Sequence, residues 1–208
     1  MVYSNSTGND KEYLHLIIPL AGHVIDSIDG VWINDTFINA DIIDGNGNVT
    51  SGTFGPQSRI LSGTESIARI RIHDGTQTAA DEYLVSDTAG HWSTNHVLFG
   101  IAYAYVRIRF DREALPQGLQ TINFQVRGKA DLYDPRNGSL VFTSNASLVI
   151  LDYLRAEFGL ACSDDEIDFD SFADAANICA EAVQINDVGT VQSRYDADMA
   201  FSLDRTPI

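Results

Sequence analysis

The spacing of apolar residues changes once along this 208-residue chain, near residue 144. Before that point apolar and polar residues alternate, most regularly in 67–73, 103–110 and 121–128, which is typical of strands with one buried face. After it, apolar residues recur every three or four positions, as in helices that bury one face. Strands followed by helices predict the α+β class, with a β-rich antiparallel N-terminal two-thirds, then a pair of amphipathic helices and a final strand.

Turn and cap residues mark where several of these elements begin and end. Pro135 suits the first central position of a type I turn and Gly138 the left-handed residue that closes it, which predicts a hairpin over residues 130–143. Thr78 is expected to cap a short helix that continues to Val85. The stretch from 44 to 58 is rich in Gly, Asn and Ser and predicts a long loop.

Two longer helices are expected after the hairpin. Ser144 or Asn145 caps the first and Gly159 ends it, and the second begins after Asp168. Their buried stripes are expected to be Leu148, Leu151, Leu154 and Phe158 in the first helix, and Phe172, Ala176, Cys179 and Val183 in the second. Residues 194–204 are compatible with the final strand. We therefore expect a β-rich module over 1–143, and a helical pair with a terminal strand over 144–208 that packs on the same unit.

The charge balance limits the classes of partner. The chain has 13 Lys and Arg against 29 Asp and Glu, a formal net charge of −16. Proteins that bind nucleic acids specifically concentrate basic residues to neutralise phosphates, so we expect no such binding and no docking on anionic lipid. The chain contains no run of about 18 apolar residues, so no membrane span is expected. The first residues lack the basic and apolar regions of a signal peptide.

Motifs for metal binding or catalysis are weak. The acidic run 164–170 and the Asp44–Asn48 segment both lack the Gly and Glu positions of an EF-hand, so capping and turn roles are expected for them. His91 and His96 are five positions apart, which does not place two ligands on one helix face, and their segment is expected to pack Trp92. We assign no catalytic, cofactor-binding or metal-binding residue.

The two cysteines, Cys162 and Cys179, do not make a disulfide framework in a chain of this length. Two reduced and buried thiols are expected, because free cysteine behaves as a small apolar residue. A bridge between them stays open if the segment after Gly159 folds back on the next helix.

One strand offers an expected contact surface. Tyr103, Tyr105, Arg107 and Arg109 alternate with apolar residues and would lie together on the outer face of their strand. Tyrosine and arginine are enriched at protein interfaces, so this face is the expected interface.

The aromatic and acidic residues of the chain are compatible with two classes of function, a carbohydrate-binding module and a cell-envelope hydrolase. The aromatic side chains of Trp32, Trp92, Tyr103 and Tyr105 would suit the sugar-stacking platform of a carbohydrate-binding module. A hydrolase of the cell envelope would need two carboxylates or a metal in a cleft, and composition does not single out such a pair.

Several segments, in the same order, resemble the tail tip attachment protein (protein J) family of lambda-like long-tailed phages and prophages. The resemblance begins near Tyr13 with EYLHLIIPLAGHVIDSIDGVWIND and continues in HDGTQTAADEYL and WSTNHVLFGIAYAYVRIRFD. It is strongest in RGKADLYDPRNG, SNASLVILDYL and AANICAEAV. These segments extend over most of the chain, and they resemble only the N-terminal or central portion of the longer proteins of this family.

The resemblance implies a structural, non-catalytic part of the virion tail tip. Proteins of this family form a trimeric central hub at the distal end of the tail, where they sit on the tail tube and contact neighbouring tail proteins. The chain would be made in the bacterial cytoplasm and incorporated into the virion. The resemblance implies no cofactor, and the expected partners are other tail proteins and further copies of the chain itself.

Overall fold

The computed structural model describes residues 3–49, 67–112, 115, 117–119, 121–186 and 189–197. The chain divides into two compact units, Met1–Lys129 and Ala130–Ile208. The first unit consists mainly of antiparallel sheets, and the second combines two helices with two short hairpins. The predicted α+β class is confirmed.

A four-stranded antiparallel sheet is the centre of the first unit. Its strands are, in spatial order, β1 (Tyr3–Thr7), β2 (Tyr13–Ala21), β6 (Ala102–Arg109) and β5 (Ala68–His73). In the pairing of β2 with β6 the register shifts near Pro19, a residue that cannot donate a ladder hydrogen bond. Both faces of the central strands are covered, so β6 is buried from Ala102 to Ile108.

A second sheet packs on one face of the first. Its order is β4 (Thr36–Asn39), β3 (Ile25–Ile33) and β7 (Ile122–Lys129), all antiparallel. Alternate residues of the two sheets form one apolar core, which includes Leu16, Ile70 and Val106 from the first sheet and Val31 and Ile33 from the second. The alternation in the sequence therefore identified this buried face correctly.

The opposite face of the first sheet is covered by α1 (Glu82–Asp87) and the segment after it. Leu84 of α1 is fully buried in a second apolar cluster with Ile17, Tyr103 and Tyr105. The prediction of Thr78 as the cap of this helix is wrong. The helix is capped by Asp81, whose side chain accepts the backbone N–H of Leu84 at 2.8 Å, because charged groups of the sheet hold that carboxylate in place.

The second unit contains β8 (Leu132–Asp134), β9 (Ser139–Val141), α2 (Ala146–Arg155), α3 (Phe169–Cys179), β10 (Ala182–Gln184) and β11 (Val191–Ser193). The β8–β9 pair is the predicted hairpin, with Gly138 in the left-handed region at φ 73°. Strand β8 contacts α2, and the hairpin belongs to this unit. The units thus divide after Lys129, whereas the sequence placed the boundary between residues 143 and 144.

The caps of the two longer helices are those predicted. Asn145 accepts the N–H groups of Ser147 and Leu148, and Asp168 accepts that of Ser171. Helix α2 ends at Arg155, before the predicted end at Gly159. Of the predicted stripes, Leu148, Leu151, Ala176 and Cys179 are buried, whereas Phe158 is exposed and Val183 lies in β10.

Strands β10 and β11 form a final antiparallel pair. The predicted strand over 194–204 lies outside the described residues from 198 onward, as does the predicted loop over 44–58 from residue 50 onward. Both cysteines are free thiols, with Cys179 buried and Cys162 partly exposed. None of the helices in the described ranges has the length and apolar character needed to cross a membrane.

Candidate functional site

A group of charged and polar side chains with little exposure lies between the first sheet and α1. We call it the α1 clamp; its members are His15, Arg69, Arg71, His73, Asp81, Asp87, Tyr105 and Arg107. The residues on β5 and β6 come from alternate positions, so they point to the same face. Pairing places Arg69 opposite Arg107 and Arg71 opposite Tyr105.

Asp81 forms one end of the clamp, at the start of α1. One carboxylate oxygen accepts the Arg71 Nε–H at 2.5 Å and lies 2.8 Å from His73 Nε2, and the other accepts the Leu84 N–H. The side chain has no exposed area. Burial by itself raises the pKa of Asp81, but the hydrogen bonds from His73, Leu84 and Arg71 outweigh it and hold the pKa below its ordinary value. Asp81 is therefore a buried carboxylate that stays ionised.

Asp87 forms the other end of the clamp, at the last position of α1. Its Oδ2 accepts hydrogen bonds from Arg69 at 3.0 Å and Arg107 at 3.4 Å. These two arginines are directly opposed on β5 and β6, an arrangement of like charges that destabilises a sheet. Asp87 lies against both guanidinium groups and offsets their repulsion.

A chain of hydrogen bonds continues from Asp87 to the edge of the sheet. The Tyr105 hydroxyl donates to Asp87 at 3.2 Å, and its oxygen lies 2.9 Å from His15 Nδ1. Burial, followed by the negative charge of Asp87, raises the pKa of Tyr105 far above its ordinary value, so the hydroxyl keeps its proton. His15 Nδ1 therefore donates, and Nε2 accepts from the Thr7 hydroxyl of β1 at 2.7 Å.

His15 is held mainly as a neutral ring. Burial lowers its pKa, and the positive charges of Arg107 and Arg69 lower it further against the opposing effect of Asp87. The ring is 1% exposed and lies parallel to that of Tyr105.

These contacts give the clamp a structural role. Each of its two carboxylates already accepts at least three hydrogen bonds from the protein, and Asp81 is closed to solvent. The carboxylate of Asp81 is therefore not directly accessible to a molecule in solution. The clamp fastens both ends of α1 to the sheet.

The predicted interface on β6 needs correction. Tyr103 and Tyr105 are fully buried and Arg107 is 8% exposed, so these three residues are not an open contact face of the chain. Only Arg109 keeps intermediate exposure, and an interface role for it stays a prediction. Alternation indicated a half-buried strand, but α1 covers the second face. The sequence did contain a signal for this contact: the acidic residues Asp81 and Asp87, at the two ends of a short helix, could have indicated that this helix provides the partners of the arginines.

The predicted aromatic platform for sugars is also wrong as a set. Tyr103, Tyr105 and Trp92 are buried, and of the four only Trp32 reaches the surface, where it packs on Phe37 with ring centroids 4.5 Å apart. The expectation that residues 91–96 pack Trp92 is confirmed, since its Nε1–H donates to the His96 carbonyl at 3.1 Å.

The two segments considered for calcium are held by their own hydrogen bonds. Asp44 accepts the N–H groups of Asn46 and Asn48 at 2.9 and 2.8 Å, which closes a turn. In the acidic run, Glu166 accepts the Ser163 N–H in a capping box and Asp168 caps α3. The predicted turn and capping roles are confirmed. Within the ranges that the structure describes, no cluster of three or more His, Cys, Asp or Glu side chains is arranged to hold a metal ion.

An open pocket of about 290 Å³ lies beside the Asp44 turn. Ile43, Gly47 and Ile72 contribute to its walls, and Arg71 reaches its rim, where its guanidinium also donates to the Gly45 carbonyl at 3.4 Å. Asp44 also lines the pocket, and the charge of Arg71 is already offset by Asp81.

Comparison with known proteins adds no assignment. No protein-family model matches the chain, and no curated protein matches it.

Proposed function

We propose that this chain is a non-catalytic structural module of a phage or prophage tail tip, which acts by binding other tail proteins. The observation that carries the proposal is the resemblance of several segments, in the same order, to the tail tip attachment family. Each segment alone is short, and their shared order over most of the chain is the specific feature.

The segments with the strongest resemblance fall on residues that support the second unit. In the hairpin turn, Asp134 accepts hydrogen bonds from the Arg136 side chain at 2.7 to 3.1 Å. Asn145 caps α2 and donates from its side-chain amide to the Ala176 carbonyl at 2.9 Å, which ties α2 to α3. Because these residues form the turn, the cap and a contact between the helices, a resemblance in them supports a shared local fold.

The contacts that the buried polar groups make also favour a structural protein over an enzyme. The buried charges of the first unit fasten α1 to the sheet, and the polar side chains of the hairpin turn and helix caps in the second unit bond to neighbouring groups of that unit. This pattern differs from that of a catalytic cleft, where titratable groups face a space that a substrate can enter.

The acidic composition suits a protein that lies close to DNA without holding it. A net charge of −16 repels phosphate at short range, and DNA that passes through a tail must not adhere to its walls. A complete tail tip assembly with the acidic surfaces turned away from the channel would contradict this explanation of the charge.

Immunogold electron microscopy tests the proposed location. Antibodies raised against the purified chain should label the distal end of tails on virions induced from the strain that encodes it. Antibodies against a capsid protein of the same virions are the control and should label heads. Labelling of heads by the first antibody, or the absence of label from intact and disrupted tails, would overturn the proposal.

Light scattering over a concentration series tests whether this chain carries hub self-association. A trimer would place the trimer contacts within these residues. A monomer at every concentration would assign trimerisation to other regions or to neighbouring tail proteins, and the module would then join the tip through a different partner.

A further inference from the structure

The second unit carries most of the negative charge of the chain. Residues 130–208 contain 15 acidic residues and four arginines, a formal charge of −11 out of the total of −16. Arg136, Arg155 and Arg194 are each paired with an acid of the same unit, namely Asp134, Asp164 and Glu181. The surface of this unit is therefore strongly acidic.

An apolar patch lies on the same unit. Ile150 and Tyr153 are one helical turn apart on α2 and are 55% and 37% exposed. Phe158 and Leu160, in the turn after the helix, are 48% and 62% exposed. We call these four residues the α2 patch. Single exposed apolar residues are common on protein surfaces, but four on one helix and its following turn indicate a binding surface.

Gly159 holds the turn against the helix. The Leu160 N–H donates to the Tyr153 carbonyl at 3.3 Å, and a Cβ on Gly159 would lie 1.9 Å from that carbonyl oxygen and 3.2 Å from the Tyr153 ring. Only glycine allows this approach. The turn is thus fixed beside Tyr153, so Leu160 extends the apolar surface begun by Ile150 and Tyr153.

Glu157 lies at the edge of the α2 patch, because it is exposed and directly precedes Phe158. Asp164, by contrast, is paired with Arg155 at 3.1 Å, and Arg155 lies over the rings of Tyr133 and Phe169, on the side of α2 that faces β8 and α3. The patch is therefore an apolar surface with an exposed carboxylate at its edge, in a unit of formal charge −11.

From this arrangement we propose that the α2 patch binds an amphipathic helix of another protein whose polar face is basic. Apolar side chains that are spaced by one helical turn pack against a matching row of apolar side chains on a second helix. Glu157 and the negative charge of the whole unit favour Lys and Arg beside that row by charge complementarity. A second copy of this chain is disfavoured as the occupant, because two units of formal charge −11 would repel each other.

The proposal rests on the proposed function insofar as both assign the chain a role in protein assembly, but its test does not need virions. The probe is a fluorescein-labelled Leu/Lys peptide of about five helical turns, with leucine on one face and lysine on the other. Fluorescence anisotropy with the full chain should show saturable binding. A peptide of the same composition in scrambled order has the same charge and no apolar face, and it should bind at least about tenfold more weakly, a difference typical of losing buried apolar anchors.

Variants of the chain locate the binding surface. The double variant Ile150→Gln, Leu160→Gln changes two exposed side chains and should weaken peptide binding by about tenfold or more while far-UV circular dichroism stays unchanged. The matched control is Phe99→Gln, which changes an apolar residue of the first unit that is 74% exposed and should leave binding intact. Glu157→Gln should weaken binding about twofold and reduce its dependence on salt.

Three results would overturn the proposal: equal binding of the ordered and scrambled peptides, unchanged binding by the Ile150→Gln, Leu160→Gln variant, or a dimer in light scattering that this variant dissociates. The last result would mean that a second copy covers the patch. Tail labelling without peptide binding would remove this inference alone, and peptide binding without tail labelling would remove the proposed location alone.

Discussion

The two units of this chain use buried polar groups in different settings. The first has two apolar clusters and places an ionic network between its sheet and α1. The second buries few large apolar side chains, chiefly Leu132, Leu148 and Leu151, and exposes many others. Its elements are joined by single polar contacts, such as those from Asn145 and Ser147 to backbone carbonyls of α3.

The difference shows what each kind of polar contact contributes. A buried ion pair gains little net stability over an apolar substitute, but removing one partner leaves the other charge unpaired, which is costly. A helix cap in a unit with a small core is a larger share of that unit's stability. We therefore expect the first unit to be sensitive to the loss of single charges and the second to the loss of single caps.

The largest effect is expected from Asp81→Ala. The change removes the cap of α1 and leaves Arg71 and His73 without their carboxylate, so unfolding free energy should fall by about 3 kcal/mol. Urea denaturation followed by tryptophan fluorescence measures it, because Trp32 and Trp92 both lie in the first unit. Glu82→Ala, at the exposed first position of the same helix, is the control and should cost less than about 0.5 kcal/mol. Equal losses for the two variants would show that the clamp does not stabilise the fold.

Asn145→Ala should produce the next largest effect, about 2 kcal/mol, because it removes the α2 cap and the hydrogen bond to Ala176. Helical circular dichroism reports mainly on α2 and α3, so its transition should shift while tryptophan fluorescence changes little. Asn145→Asp keeps the capping oxygen and loses the donor to Ala176, which separates the two contributions. A shift of equal size in both signals would mean that the two units unfold together and do not differ in their sensitivity to the loss of a cap.

A smaller effect distinguishes two tyrosines on the same face of β6. Tyr105→Phe removes a hydroxyl that bridges Asp87 and His15 and should cost about 1 kcal/mol. Tyr103→Phe should be neutral or slightly stabilising, because among the described residues the Tyr103 hydroxyl has no hydrogen-bond partner although it is buried. Thermal unfolding of the two variants beside the parent chain measures the contrast. A greater loss for Tyr103→Phe would contradict the described network.

The smallest expected effect is the dependence of stability on pH through His15. Its pKa is lowered in the folded protein, so the unfolded chain takes up a proton first as pH falls below the ordinary value of about 6.5. The contribution of His15 is present above that pH and is lost as pH falls through the folded pKa. Urea denaturation at pH 7.5 and pH 5 should show this loss in the parent chain and a smaller one in His15→Gln. An identical loss in both would assign the pH dependence to other groups.

Local signals in the sequence predicted many elements correctly. The hairpin turn at Pro135–Gly138, the Asn145 and Asp168 caps and the alternation of β5 and β6 depend on contacts between near neighbours, which a short window contains. The cap at Thr78 was misplaced because the observed cap, Asp81, is held by Arg71 and His73 from a strand. Asp81 is the cap because residues of the sheet hold its side chain, and the helix sequence alone does not contain that information.

By itself the sequence determined the fold class, the hairpin turn and the caps of the two longer helices, the acidic character and the resemblance on which the proposed function depends. Only the tertiary structure decided which faces are buried. Alternation shows that a strand has two different faces, but an aromatic and arginine face is compatible with solvent, a partner or a covering helix. Here α1 covers it, and two carboxylates at the ends of that helix make burial of the arginines possible. Burial is set by what packs from elsewhere in the chain, and no local pattern contains that information.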